Sequence, residues 1–296
     1  MRGSVLESAE GIGRVKVNPY KKDGKALVSR VTDTHELKEG ILKSVDLIGG
    51  FNGAIEKGDE VLLKPNFNTA DPPPASSDPD FVKAVIELLY EHGAAKVILG
   101  DSSTLAVSTR KVFEKTGMMK KAEEAGAELA FFEEGKYRKV ATGGKYLREV
   151  SLPQDALEAK KLVYVCCIKT HSLATFTLSF KLAVGFVERG ERLRLHMTNL
   201  EEKIADLNLV VHPSLIVMDG RKCFISGGPA DGELRNPGII LASGDRIAID
   251  VEAVKVIESF EGSSLKADPW SYKQIRRAIM LELGVKNEEE YRNVTE

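Results

Sequence analysis

Between residues 59 and 260 short apolar runs alternate with stretches of helical periodicity, and this alternation is what most constrains the fold. The runs Val61-Leu62-Leu63, Val97-Ile98-Leu99, Leu162-Val163-Tyr164-Val165-Cys166-Cys167-Ile168 and Leu215-Ile216-Val217-Met218 are too short for helices. They are also too continuously apolar for strands with one face in water, so they read as strands covered on both sides. Further strands are expected over 128–132 and 238–243. Between the first two runs, Asp78-Pro79 is an N-cap followed by an N1 proline, and Val82, Val85, Ile86 and Leu89 repeat at helical spacing behind it. Strands alternating with helices predict an α/β fold, a mostly parallel sheet with helices on both faces.

Other segments add to this core. An amino-terminal strand and helix segment is expected, with strands over 14–17 and 26–31 and a helix over 34–48. A small hairpin is expected over 139–152, turning at Gly143-Gly144. Helices are expected over 109–126 with a break at Gly117, then over 175–187, 199–209 and 245–260, with a carboxy-terminal helix over 271–283. The chain shows no internal repeat or low-complexity linker, so residues 1–296 read as a single α/β domain.

Composition narrows the function classes. Apolar residues make up 43%, charged residues 29%, and the formal net charge is -2, which argues against nucleic acid or an anionic membrane as a partner. No apolar stretch approaches a bilayer span, and Met1-Arg2-Gly3-Ser4-Val5-Leu6-Glu7 lacks the apolar run of a secretory signal, so a cytoplasmic location is expected. Cys166 and Cys167 are adjacent and Cys223 is remote, which is neither a disulfide framework nor a Cys-x-x-Cys metal site. They read as small buried residues.

The chemistry-bearing residues gather where apolar strands end. Lys64 with Asn66 and Asn68, Asp101 with Ser102, Lys169 with Thr170 and His171, and Asp219 all follow such runs. Ligands of open parallel sheets bind beyond the carboxyl ends of the strands, so these groups are expected on one rim. Lysines placed there are partly desolvated and favour an anionic ligand, or pair with Asp101 or Asp219. His171 has the chemistry of a general acid or base and also that of a metal ligand, with His196 and His212 as distant co-ligands. Lys181, read on a helix, shares a polar stripe with Thr177 and Gly185. Asp250, in a helix apolar nearly all round, is expected to pair with Arg246 one turn earlier. Ser76 and Ser77 precede the Pro79 helix, but Asp78 and Asp80 occupy its positive end.

Several of these segments together resemble the family catalogued as domain of unknown function 362. The resemblance is carried in order by Lys64-Pro65-Asn66, Ser77-Asp78-Pro79, Gly100-Asp101-Ser102, Lys169-Thr170-His171, the run from Leu178 to Gly185, and Ala248-Ile249-Asp250. It covers about 59–260. Leu182 stands where the family often has asparagine, and the ferredoxin-like cysteine motifs of many members are absent, so no iron–sulfur cluster is expected. A divalent metal stays open. The family is distantly similar to the nickel-pincer lactate racemases, which implies an α/β catalytic domain acting on small hydroxy acids and a racemase, isomerase or oxidoreductase type of activity. No nickel ligand transfers residue by residue.

The expectation is an enzyme for a small anionic metabolite in which Lys64 and Lys169 hold the anion, His171 moves a proton and Lys181 assists electrostatically. The competing readings are a carrier that sequesters an anion or metal on the same rim, and a subunit that forms a homo-oligomer or docks a redox partner.

Overall fold

The computed structural model describes residues 11–13, 17–32 and 36–296. The strand expected from Arg14 lies outside these residues but for Val17, which is not in a strand, and the expected helix start at Thr34 lies outside them too.

The sheet is built as the apolar runs require. From one side its order is Lys25–Val31, Ile239–Ser243, Leu215–Gly227, Lys161–His171, Glu60–Lys64, Lys96–Asp101 and Glu128–Phe131. The last five of these run parallel, with Val61 opposite Lys161, Leu62 opposite Ile98 and Leu215 opposite Val163. Ile239–Ser243 is antiparallel to both neighbours. The carboxy-terminal strand Tyr291–Thr295 adds in parallel to Lys25–Val31.

Both faces are covered, which is why the central strands are apolar on both sides. Leu162, Tyr164, Cys166 and Ile168 pack with the helices Leu200–Leu207, Arg246–Glu258 and Lys273–Met280. Val163 and Val165 pack with Leu37–Asp46, Pro79–Glu91 and Thr109–Thr116. Asp78 caps the second of these by accepting from the Asp80 N–H at 2.9 Å. Gly117, in the left-handed region at φ 78°, separates Thr109–Thr116 from Met118–Glu124 where the break is expected. The small antiparallel pair Tyr137–Ala141 and Glu149–Pro153 sits apart from the main sheet, with Val140 opposite Val150.

Three expected elements differ. The run Leu162 to Ile168 does not stop before Lys169 but continues to His171, turns, and pairs back with Thr175–Thr177. The helix expected over 175–187 is therefore a strand, a short helix Ser179–Leu182 and a 3-10 turn Ala183–Phe186. Thr177 is β-branched and sits opposite Lys169, so local preference and register agree there, whereas Thr175, opposite His171, takes the left-handed turn conformation at φ 64°. The strand that begins at Leu215 likewise runs past Asp219 to Gly227, so Asp219 is not a strand end.

The Arg246–Asp250 pair does not form either. The guanidinium of Arg246 donates to the carbonyls of Asn208 at 3.0 Å and Val211 at 2.7 Å. Asp250 instead accepts the amides of Ser179 at 2.9 Å and Phe180 at 3.2 Å. On a helix buried all round, each side chain leaves its own element and satisfies the backbone it meets. Asp250 thereby fixes the start of the segment that carries Lys181.

Candidate active site

A cleft of about 380 Å³ lies beyond the carboxyl ends of Glu60–Lys64, Lys96–Asp101 and Lys161–His171. Lys64, Asn66, Asn68, Asp101 and Ser102 line it from one side. Lys169, His171 and Lys181 line it from the other. Thr170 does not share it, because side chains alternate along a strand and Thr170 points away from Lys169 and His171; its carbonyl instead packs against Gly228. Asp219 is also elsewhere, bound at 2.7 Å by Arg221 in a separate recess with Cys167 and Asp78.

Lys64 and Asp101 form the floor. Their charged atoms are 2.6 Å apart and both side chains are only 2% exposed. Asp101 is further held by the Ser102 and Phe67 amides, each at 2.7 Å, and Lys64 also donates to the Pro65 carbonyl at 2.7 Å. Burial lowers the pKa of Lys64 and the adjacent Asp101 opposes the shift. The pair is internally satisfied, so Lys64 serves the cleft as structure more than as a free cation. Gly185 closes over it: a Cβ there would meet Lys64 Nζ at 2.6 Å, so the close approach requires glycine.

Lys169 and Lys181 are different. Lys169 is buried and donates to the Ala75 carbonyl rather than to a carboxylate. Burial lowers its pKa. Lys181 is half-buried, and among the described residues it has neither a hydrogen bond nor an ion pair. Burial first, then the charges of Lys169 and Arg192, bring its pKa down to about 7. Thr177 and Gly185 line the same cleft as Lys181, though not as a helical stripe: Thr177 arrives on a strand and Gly185 on a 3-10 turn.

The two histidines present opposite faces to the cleft. His171 Nδ1 accepts the amides of Leu173 at 3.0 Å and Ala174 at 3.1 Å, which puts the ring proton on Nε2. Burial, with Lys181 beside it, lowers the pKa to about 3. In this arrangement His171 can donate a hydrogen bond from Nε2 but has no free lone pair with which to take a proton. His196 is the reverse. Its Nδ1 lies 2.6 Å from the Arg192 carbonyl and must carry the proton, which leaves the Nε2 lone pair free. Its pKa is also lowered, chiefly by burial, so the ring is neutral.

His196 arrives on the helix Arg189–Met197, which the periodicity did not reveal, together with Arg189 and Arg192. Arg192 is fully engaged, donating to the carbonyls of Val187 at 2.7 Å, Ser102 at 2.8 Å, Ser103 at 3.0 Å and Gly185 at 3.0 Å. It clamps this helix to the Asp101 loop. Arg189 is paired with Glu133 at 2.7 Å. The sequence did carry a signal for the helix: Glu188 accepts the Glu191 amide as an N-cap, and Arg192 and His196 stand one turn apart.

Among the described residues no group of three or more His, Cys, Asp or Glu is placed to hold a metal ion. No helix among those residues is long and apolar enough to cross a membrane. The thiols of Cys166 and Cys167 are buried, and burial pushes Cys167 up to about 11.

The family described as domain of unknown function (DUF362) matches residues 61–255. The chain is also 27% identical over 219 residues to the thylakoid-associated protein sll1697 of Synechocystis sp., a match covering 71% of this chain and 67% of that protein. Neither comparison bears on the lactate racemases. The matched range contains the floor pair, both cleft lysines and both histidines.

Proposed function

The chain belongs to the DUF362 family, and on that premise we propose that it is an enzyme acting on a small anionic metabolite bound in this cleft. One observation carries the reading: Lys169 and Lys181, neither paired with a carboxylate, converge with two neutral histidines of opposite tautomer on a single cavity. Charging a lysine held in a cleft without a carboxylate partner is costly, and an anion relieves that cost.

In this reading Lys181 and Lys169 hold the anionic group. His171 donates from Nε2 to an oxygen on which negative charge develops, and His196 takes a proton at Nε2 from the bound molecule. Asn66 and Asn68 supply neutral hydrogen bonds at the rim. Lys64 and Asp101 keep the floor rigid. A donor and an acceptor facing one cavity suit proton abstraction next to a carbonyl or carboxylate.

The test uses a panel of small carboxylates and phosphate esters with purified protein in deuterium oxide, followed by thermal shift and by mass spectrometry for deuterium gained at carbon. Some member should stabilise the wild type, do so less in Lys169→Met and Lys181→Met, and exchange hydrogen at a rate lost in His196→Gln. Stabilisation with no exchange would support a carrier instead. If no anion stabilises the wild type more than it does the two lysine variants, the reading fails.

A further inference from the structure

The cleft is polar at its floor and apolar at its mouth. Leu105 is 54% exposed, Leu173 64% and Leu193 59%, and all three line the same cavity as Lys169 and Lys181. They come from separate places: the loop after Ser103, the turn after His171, and the helix Arg189–Met197. Met197, one turn beyond Leu193, is 77% exposed and extends the apolar surface along that helix. A single exposed leucine is ordinary, but several converging on the mouth of a charged cavity mark a binding groove. Within the cavity Leu182 and Val184 continue the apolar wall inward from the mouth.

We propose that the ligand is an amphiphilic anion, whose charged head lies between Lys169 and Lys181 and whose apolar tail leaves the cleft between Leu105, Leu173 and Leu193. This rests on the anion reading above and names its substrate class. The charge at Lys169 and Lys181 decides between occupants. A molecule that reaches the leucines from inside the cavity also faces unpaired ammonium groups, so it carries a negative end. Leu173 is tied to the chemistry as well, since its amide holds the His171 ring in the donor tautomer. A tail packed on the Leu173 side chain therefore sits next to the head group's hydrogen-bond donor.

The experiment titrates the intact protein with straight-chain carboxylates from acetate to octanoate and, in parallel, with alkyl phosphates of matching length, by calorimetry. In one series affinity should rise about three- to fourfold for each added methylene, as expected for transfer of a methylene from water to an apolar surface. Leu105→Ser and Leu193→Ser alter exposed side chains and leave the backbone amides in place. They should flatten that dependence while binding the shortest member as the wild type does. Lys181→Met should weaken every member. Binding of short and long chains with equal affinity overturns the amphiphile and leaves the anion reading standing. An undiminished chain-length dependence in the leucine variants, or long-chain binding indifferent to Lys181→Met, also overturns it, because the tail then binds elsewhere. If neither series binds at all, both readings fall.

Discussion

Replacing Lys181 with methionine should stabilise this protein at neutral pH, the opposite of what losing a side chain usually does. Methionine keeps the length and apolar stem and removes the ammonium. The ordinary lysine pKa of 10.5 falls to about 7 in the folded chain, through burial and the charges of Lys169 and Arg192. Between those two values the folded state binds fewer protons than the unfolded state, so wild-type stability rises with pH across that window. The cost is full below about pH 7, shrinks by ~1.4 kcal/mol per pH unit above it, and is gone near 10.5. The ceiling is ~5 kcal/mol, and water in the open cleft screens part of it, so about 2–5 kcal/mol is expected at pH 6. Urea unfolding of both proteins from pH 6 to 10 measures this directly. The difference cancels other groups titrating in common, including Asp250, which burial raises to about 7. If Lys181→Met is no more stable than wild type at pH 6, or if the gap does not close toward pH 10, Lys181 is not a desolvated, unpaired cation and the anion argument loses its main support.

The buried floor gives a second expectation: Asp101→Asn leaves Lys64 charged and unpaired, which should cost about 3–5 kcal/mol, and adding Lys64→Met should recover most of it in a double-mutant cycle of thermal unfolding. Additive losses would mean the two groups do not depend on each other. Gly185→Ala should cost about 1–3 kcal/mol because its Cβ meets Lys64 Nζ at 2.6 Å, and chemical denaturation showing no loss would contradict so close an approach. Nitrogen-15 NMR of the histidine rings should find His171 protonated on Nε2 and His196 on Nδ1 at neutral pH, with His171 staying neutral until about pH 3. An imidazolium at His171 at pH 6 would be incompatible with its two amide donors.

The floor and one wall of the site were legible because a charged residue directly after an apolar strand breaks the pattern that built the strand. Lys64, Asp101 and Lys169 break it in this way, His171 follows Lys169 two residues on, and all four line the cleft. What such a break does not encode is where the strand stops. Strand Lys161–His171 runs through its polar residues because Thr175–Thr177 turns back to pair with them, a long-range register that local periodicity cannot contain. The same limit hid the alternation that turns Thr170 away, and misread residues 175–187 as one helix. The second histidine was hidden for another reason. Arg189–Met197 is short and rich in arginine, with few apolar positions to set a phase, and its place is fixed by Arg192 reaching carbonyls at Gly185, Ser102 and Ser103. Those partners are near and far in sequence at once, so only the folded chain identifies them.

These placements explain why the electrostatic cost collects at one point. A parallel sheet ends its strands on a common edge, so polar residues closing apolar runs are brought together whatever their charge. At Lys64 a carboxylate answers the lysine, that of Asp101. At Lys169 the answering group is a carbonyl, and at Lys181 there is none. The acceptors nearby serve the backbone instead: Asp250 accepts the amides of Ser179 and Phe180, and His171 Nδ1 those of Leu173 and Ala174. Both acceptors thereby hold the cleft's own segments in place, the first at the start of the helix bearing Lys181 and the second at the turn bearing Leu173. The fold thus fixes the positions of two lysines that no carboxylate pairs with, which is the observation the anion proposal rests on.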